Sequence, residues 1–257
     1  MIEVRNLTVG YGERNILKGG DFTIKEGEMC AIMGANGCGK TTLLRCIANL
    51  LQPKEGEVLI QGSDVRKSDA RSLAQKVAFV PQHPQTDFEF SAFETVLMGR
   101  NPYQRHLQNE SEQDWAIVEA CMKQTHTWHL RFALPSQMSG GELQRVMIAR
   151  ALAQQTPVML LDEPISNLDI AHQFEMLHLL RELTDKTILI VLHDLNMALQ
   201  YCPQLILLHE GQLVFRGETE EGLTKENIER VFHVRAEREP GQKRLILSRL
   251  QEFITEA

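Results

Sequence analysis

The sequence predicts an α/β fold with a mostly parallel sheet, an antiparallel β subdomain at the N-terminus and an inserted α-helical subdomain. The apolar runs at 158–161 and 188–192 are typical of central parallel strands that are buried on both faces. Segments with helical periodicity alternate with such runs, as expected for a parallel sheet. Between 83 and about 155 the strand signals disappear, and the periodicity there predicts helices.

The individual elements follow from local patterns. Residues 2–22 form two alternating stretches separated by Tyr11 and Gly12, which predict antiparallel strands on a sheet edge. Asp169 is the predicted N-cap of a helix over 170–183, and a hairpin is predicted over 205–215. The remaining expectations are strands at 57–60 and 77–80, helices at 91–100, 112–123 and 142–153, and an exposed loop at 104–112. The predicted division is a core at 1–84 and 156–234, a helical subdomain at 85–155, and a tail at 235–257 without an assigned role.

Composition excludes several classes of function. The chain has 257 residues, of which 43% are hydrophobic, enough for a sizeable core. A net charge of -7 without a polybasic block argues against a nucleic-acid partner. No apolar stretch reaches the roughly 18–20 residues that cross a bilayer, and no charged-then-apolar leader begins the sequence. Five cysteines without a C-x-x-C pair indicate a reducing cytoplasm.

The segment at 34–42 carries the strongest motif, Gly-Ala-Asn-Gly-Cys-Gly-Lys-Thr-Thr, a complete G-x-x-x-x-G-K-[ST] phosphate-binding loop. An apolar strand precedes the loop and a helix follows it, so the helix N-terminus favours an anion. Glycines let the backbone N–H groups turn inward, while the lysine ammonium reaches the β- and γ-phosphates and the first threonine can ligate Mg²⁺. The predicted binding residues are Gly34, Asn36, Gly37, Cys38, Gly39, Lys40, Thr41 and Thr42.

Two carboxylates end the strand at 158–161 and are followed by Pro164. Side chains alternate along a strand, so Asp162 and Glu163 should point in different directions. Beside a phosphate loop, Asp162 would hold Mg²⁺ and Glu163 would orient or deprotonate an attacking water.

A third element, Met138-Ser139-Gly140-Gly141-Glu142, precedes a helical segment. Its helix N-terminus offers little steric bulk and a hydroxyl group, which suits a second anion site. A plain N-cap formed by Ser139 explains the same residues. The residues alone leave both interpretations open.

Together these three motifs resemble the ATP-binding cassette family, and the match covers most of the chain. The resemblance implies a P-loop NTPase core of the RecA-like type that binds ATP and Mg²⁺. It also implies that Ser139, Gly140, Gly141 and Glu142 form the family's signature segment. Glu142 stands where the family usually has Gln, and a carboxylate near a polyphosphate is unfavourable unless it turns away or meets a cation.

Four further positions match the family in order. Gln82 resembles the residue that links Mg²⁺ to the helical subdomain, and His193 resembles the switch histidine at the γ-phosphate. Asp169 ends the segment Ser166-Asn167-Leu168-Asp169, which resembles the loop that crosses the dimer interface. Tyr11 lies where the family places an aromatic ring against adenine. The implied catalytic residues are Glu163 and His193, and the implied metal-binding residues are Thr41, Gln82 and Asp162.

The resemblance also implies partners. Two cassettes would pair head to tail as a homodimer, with Ser139 and Gly141 of one touching the γ-phosphate bound by Lys40 of the other. The dimer would lie peripherally on the cytoplasmic face of the inner membrane and drive integral permease subunits, with a substrate-binding protein outside.

Among cassette proteins, a transporter subunit fits best. Cassettes that act on DNA or the ribosome usually carry a long coiled-coil insertion or two cassettes, and other P-loop NTPases lack the signature segment. The stretch at 95–103, Thr-Val-Leu-Met-Gly-Arg-Asn-Pro-Tyr, resembles importers of iron–siderophore, haem and vitamin B12. A zinc or manganese importer is the main alternative, and an exporter is another. Cys38, beside Lys40 and a helix N-terminus, is expected to be a reactive thiolate that MgATP protects.

Overall fold

A computed structural model describes residues 1–84, 90–104, 110–239 and 243–249. The strands, in chain order, are β1 (Ile2–Tyr11), β2 (Arg14–Ile24), β3 (Met29–Gly34), β4 (Glu55–Ile60), β5 (Ser63–Asp64), β6 (Val77–Val80), β7 (Val158–Leu161), β8 (Thr187–Val191), β9 (Gln204–His209), β10 (Gln212–Glu218), β11 (Val234–Arg238) and β12 (Leu245–Arg249). The α-helices are α1 (Lys40–Ile47), α2 (Ala70–Ala74), α3 (Ala92–Leu97), α4 (Glu112–Gln124), α5 (Gly140–Ala153), α6 (Ile170–Glu182), α7 (Leu195–Tyr201), α8 (Thr219–Gly222) and α9 (Lys225–Phe232).

The central sheet has six strands in the order β10-β9-β3-β8-β7-β6. Five of them run parallel, and β10 pairs antiparallel with β9 as the predicted hairpin. The phosphate loop follows β3, the two carboxylates follow β7, and His193 follows β8, which lies between β3 and β7. Because parallel strands end at the same edge of a sheet, this order gathers the predicted site residues at one edge. The predicted α/β fold is confirmed.

A second, antiparallel sheet has the order β2-β1-β4-β5. The antiparallel pairing of the first two strands is confirmed, with Ile2 opposite Ile24. The expectation that both lie on a sheet edge is wrong for β1, since its other side pairs with β4 and places Ile2 opposite Ile60. Alternation within 2–22 reveals only the pairing of neighbouring strands, whereas the second partner, β4, lies far along the chain.

The apolar core lies on both faces of the central sheet. In β3, Ala31 and Met33 face a layer formed with the helical subdomain, α6 and α7. Cys30 and Ile32 face a second layer formed with α1 and the antiparallel sheet. This alternation explains why the strand reads as a continuous apolar run.

Helices α3, α4 and α5 are joined by 3₁₀ turns, and the described residues between β6 and β7 contain no strand. The first of these helices is shorter than the predicted 91–100, because the chain tightens into a 3₁₀ turn over Met98–Tyr103. A Cβ at Gly99 would lie 2.4 Å from the Arg150 carbonyl oxygen, so only glycine fits this approach. Most of the loop predicted at 104–112 lies outside the described residues.

The 3₁₀ turn carries part of the stretch that resembles metal-chelate importers, and contacts within the chain account for its side chains. The buried Arg100 donates from Nε to Asp114 Oδ1 at 2.8 Å and from Nη1 to the Ala153 carbonyl at 2.8 Å. The Tyr103 ring lies 4.3 Å from the Arg100 guanidinium, and its hydroxyl donates to the Gln154 carbonyl at 2.8 Å. The turn therefore joins the C-terminal end of α5 to α4.

The tail forms an antiparallel hairpin of β11 and β12. Asn196 on α7 holds it: the side-chain amide donates to the Leu245 carbonyl at 3.1 Å, and the Leu245 N–H donates back at 2.7 Å. Sequence patterns indicated only a Pro240-Gly241 turn here, and that turn lies outside the described residues.

Two absences can be stated for the described residues. Within the described ranges, no helix is long and apolar enough to span a bilayer. His126 and His129 do not share a helix face, because α4 ends at Gln124 and His126 has a left-handed φ of 55°. Neither belongs to a cluster of three or more potential metal ligands in the part of the chain that the structure describes.

Candidate active site

The phosphate loop connects β3 to α1 and depends on glycine at two positions. Gly39, the N-cap of α1, has φ 110°, and a Cβ there would lie 2.7 Å from Leu17 Cδ2. A Cβ at Gly34 would lie 2.2 Å from the Leu208 carbonyl oxygen. Any larger residue would push the loop away from β9 or β2, so the loop keeps its curvature only with glycine.

Lys40 lies inside this loop and is 6% exposed. Its Nζ donates to the Gly34 carbonyl at 2.8 Å and to the Ala35 carbonyl at 3.1 Å. The backbone carbonyls of the loop thus provide the hydrogen-bond acceptors that a buried ammonium group needs. An anion entering the loop meets a cation that is already placed.

Beside the loop lies an open cavity of about 750 Å³, the nucleotide cavity. Its lining residues are Arg14, Ile16, Asn36, Gly37, Gly39, Lys40, Thr41, Thr42, Gln82, Glu163 and His193. Most of these positions are predicted from the motifs. Arg14 and Ile16 are not, and the only sequence signal for them is their position just after the Tyr11-Gly12 turn.

Asp162 reaches the loop through a hydrogen bond: the Thr41 hydroxyl donates to Asp162 Oδ1 at 3.1 Å. Asp162 is 2% exposed. Burial raises the pKa of this carboxyl, and the neighbouring Glu163 charge raises it further, while Thr41, Arg45 and Lys40 oppose the shift. Asp162 therefore forms, with Thr41, a set of oxygen atoms that suits a hard divalent cation.

Glu163 follows Asp162 beyond the end of β7 and bonds to different partners from its neighbour. Its backbone has a left-handed φ of 50°, rare for a residue with a side chain. Gln82 Nε2 donates to Glu163 Oε2 at 2.5 Å, and His193 Nε2 lies 2.7 Å from Glu163 Oε1. These contacts hold the carboxylate between two side chains that line the nucleotide cavity. Left-handed backbone such as that of Glu163 is concentrated at functional sites.

The signature segment begins α5 with a capping box. The Ser139 backbone N–H and hydroxyl each donate to Glu142 Oε2 at 2.8 Å. These bonds, the backbone one first, lower the pKa of the Glu142 carboxyl. The carboxylate thus turns back onto the helix N-terminus, where a negative charge is favourable.

Within one chain the structure does not bring the signature segment into the nucleotide cavity. Ser139, Glu142 and Asp169 are absent from its lining. Asp169 caps α6 as predicted, accepting from the His172 N–H at 2.9 Å. The signature segment packs against the loop before α6, and a Cβ at Gly141 would lie 3.0 Å from the Asn167 carbonyl oxygen.

Two predicted residues lie differently from expectation. Tyr11 ends β1 opposite Arg14 in the strand register, is about half exposed and is not among the cavity-lining residues. Cys38 is 5% exposed, and burial raises the pKa of its thiol against the opposing influence of Lys40. The expected thiolate at Cys38 is therefore wrong, because loss of water outweighs the nearby positive charge. All five cysteines are buried.

Comparison with known proteins decides the family. Residues 17–166 match the family model for ABC transporters.

The chain belongs to the ABC transporter family.

This ABC ATPase is 41% identical over 236 residues to the achromobactin transport ATP-binding protein CbrD of Dickeya dadantii, covering 91% of this chain and 88% of the relative. It is 38% identical over 232 residues to the ferric enterobactin transport ATP-binding protein FepC of Escherichia coli, covering 89% and 86%. It is an ATP-binding and ATP-hydrolysing subunit of an ABC transporter.

Solved structures agree with this assignment. A metal-chelate type ABC transporter in an inward-facing conformation matches with a TM-score of 0.81 and 28% identity, over 96% of this chain and 95% of that chain. A dimeric ATP-binding cassette in a post-hydrolysis state with ADP and Pi matches with a TM-score of 0.75 and 32% identity, over 85% and 99%.

Replacing Asp162 by Asn tests the role of its buried charge. Because the pKa of this carboxyl is raised in the folded protein, the ionised form opposes folding at neutral pH, and this penalty disappears as the pH falls through that pKa. Asp162→Asn should therefore match or exceed the wild-type melting temperature at pH 7 without nucleotide, and the difference should narrow in acidic buffer. The exposed Asp185→Asn is the matched control. A clear loss of stability in Asp162→Asn at pH 7 would contradict this account of the site.

Proposed function

We propose that this ABC ATPase powers the import of a metal chelate, of the iron–siderophore, haem or cobalamin class, through a membrane permease. One observation carries the chemical part of the proposal: Lys40, Thr41 and the Glu163–His193 pair line one cavity, and Asp162 accepts a hydrogen bond from Thr41 behind it. Two relatives support the substrate class: CbrD is named for achromobactin transport and FepC for ferric enterobactin transport. The structural neighbour of the metal-chelate type supports it as well.

In the proposed binding mode, the triphosphate occupies the loop around Lys40. The ammonium exchanges its bonds to the Gly34 and Ala35 carbonyls for the β- and γ-phosphate oxygens, while the backbone N–H groups of 37–42 provide further donors. Arg14 and Ile16 line the same cavity and offer a cation and an apolar surface to the rest of the nucleotide. Tyr11 remains a proposed adenine contact at the rim.

The residues around Asp162 fit a magnesium ion. Thr41, Gln82 and Asp162 provide a hydroxyl, an amide oxygen and a carboxylate, all oxygen donors of the kind that Mg²⁺ prefers. When bound, the ion would neutralise charge on the β- and γ-phosphate oxygens. Gln82 must release Glu163 to take part, because its amide now donates to that carboxylate.

Glu163 is the proposed general base and His193 its partner at the γ-phosphate. With Gln82 withdrawn, one oxygen of Glu163 is free to accept a proton from a water molecule in line with the γ-phosphate. His193 Nε2 lies 2.7 Å from the other oxygen and so fixes the carboxylate. In the proposed mechanism the ring turns from this contact to the γ-phosphate when ATP is bound. The left-handed backbone at Glu163 aims the carboxylate at this position.

A homodimer completes the proposed site. Ser139, Gly140, Gly141 and Glu142 would face the nucleotide of the partner subunit, with Asp169 near the interface. The solved dimeric cassette with ADP and Pi supports this arrangement. The Ser139 hydroxyl donates to Glu142 Oε2 and accepts from the Glu142 N–H, so it would donate to the partner's nucleotide only when its bond to the carboxylate opens. The dimer would lie on the cytoplasmic face of the membrane with its permease, and a substrate-binding protein would deliver the chelate.

Glu163→Gln tests the catalytic role. The change removes the proton acceptor but keeps the side-chain shape, so ATP turnover should fall by about 100-fold or more while ATP binding persists. Steady-state phosphate release and equilibrium ATP binding measure the two quantities. Glu182→Gln, an exposed residue on α6, is the matched control. Size-exclusion chromatography with ATP should also show a stable dimer for Glu163→Gln, and near-normal turnover in this variant would remove Glu163 from the mechanism.

The transport assignment has a separate test. The tagged chain, purified from detergent-solubilised membranes of its native host, should carry an integral permease of the metal-chelate importer type. The binding protein encoded beside that permease should then take up a ferric siderophore, haem or cobalamin. Recovery with a zinc or manganese permease, or without any membrane protein, would contradict the assignment.

A further inference from the structure

A groove separates the end of α4 from α6 on a part of the molecule that shares no lining residue with the nucleotide cavity. Its volume is about 720 Å³, and a deeper adjoining part adds about 230 Å³. We call this the α4–α6 groove. Its lining includes Lys123, His126, His129, Arg145, His172 and Glu175.

Arg145 lines both parts of the groove and is 8% exposed. Its buried Nε has no hydrogen-bond partner, and no hydrogen bond or ion pair within the described ranges reaches the guanidinium. A buried N–H donor without an acceptor is unfavourable. The rest of the guanidinium opens into the groove, where a ligand can pair with it.

The nearest carboxylates do not fill this role. The pKa of Asp169 is lowered mainly by the bond from the His172 N–H, with a smaller contribution from Arg145. The pKa of Glu142 is lowered mainly by the Ser139 N–H, again with a smaller contribution from Arg145. Both carboxylates are engaged in capping their own helices, so they act on the guanidinium only at a distance.

Histidines and a lysine line the groove beside Arg145, and two carboxylates, Glu175 and Glu182, line it as well. His126 and His129 are exposed, and within the described residues neither ring has a hydrogen bond. His172 uses Nδ1 for Asp169 Oδ2 at 2.7 Å, so its Nε2 can donate to an anion only when the ring carries both protons. Lys123 is paired with Glu119 at 2.6 Å. The described part of the chain offers no cluster of three or more metal-ligating side chains, so these donors suit an anion.

We propose that the α4–α6 groove binds a small oxyanion, a phosphate or carboxylate group, with Arg145 as its main ligand and the histidines at the rim. The planar guanidinium matches two oxygens of such a group. Glu175 at the same groove repels additional negative charge, which favours a singly or doubly charged ligand over a polyphosphate.

Occupancy of the groove would connect the two halves of the cassette. Arg145 belongs to α5, the helix that carries the signature segment, whereas His172 and Glu175 belong to α6 of the core. A ligand that contacts both would restrict movement between them. This regulatory consequence rests on the proposed function, but binding itself does not.

Inorganic phosphate in the presence of a saturating, non-hydrolysable MgATP analogue tests the site, because the γ-phosphate of the analogue occupies the position in the loop around Lys40 that ADP would leave open to phosphate. Binding of the analogue is checked first, and its failure would count against the proposed function alone; Lys40→Met protein would then be used in place of the analogue complex. Calorimetry should detect saturable phosphate binding to the wild type, and the ring NMR signals of His126 and His129 should shift along the same curve. Arg145→Met should weaken binding at least tenfold.

The matched control is Arg181→Met, which removes an arginine from α6 outside the groove and should leave phosphate binding unchanged. Because Arg145 has no partner to lose, Arg145→Met should be at least as stable to heat as the wild type in phosphate-free buffer. A marked drop in its melting temperature would reveal an internal partner and overturn the proposal. Absence of saturable binding, or equal binding by Arg145→Met, would also overturn it.

Discussion

The buried ammonium of Lys40 is the constraint on which the rest of the site depends. A cation with 6% exposure is tolerable only where the backbone supplies acceptors, and the Gly34 and Ala35 carbonyls do so at 2.8 and 3.1 Å. Those carbonyls reach inward because the loop is curled. The curl brings the loop so close to its neighbours that no side chain fits at positions 34 and 39, and Gly34 and Gly39 have none. The central sheet then fixes the loop beside the ends of β7 and β8, which deliver the carboxylates and the histidine.

Each group with a proposed role in hydrolysis is bonded to a neighbour that ATP or Mg²⁺ would replace in the proposed mechanism. Lys40 is held by carbonyls, Thr41 donates to Asp162, and Glu163 lies between Gln82 and His193. Every one of these bonds satisfies a buried or strained group without metal or phosphate. In the proposed function, release of Gln82 from Glu163 would link hydrolysis to movement of α3, α4 and α5.

The sequence allowed prediction of what local patterns determine: the phosphate loop, the strands of the central sheet and the Asp169 cap. It missed what depends on distant contacts. The pairing of β1 with β4, the docking of the tail on Asn196 and the place of Arg14 in the cavity all join segments far apart in the chain. The predicted thiolate at Cys38 is wrong for a related reason, since packing that no local pattern reveals buries the thiol and raises its pKa. The contact of Glu142 with Ser139 follows from a capping box, which is a local pattern. In the sequence, Glu142 stands out only as a departure from the Gln of the family.

The central claim is that Lys40 and the amides around it grip a nucleotide, and equilibrium MgATP binding tests it most directly. Titration of the purified wild-type chain should give saturable binding, and Lys40→Met, which keeps the length of the side chain but removes its charge, should weaken that binding by about 30-fold or more, since truncating one partner of a buried charge pair costs about 2–5 kcal/mol. A wild-type chain without affinity for MgATP, or a Lys40→Met variant that binds as tightly as the wild type, would contradict the account.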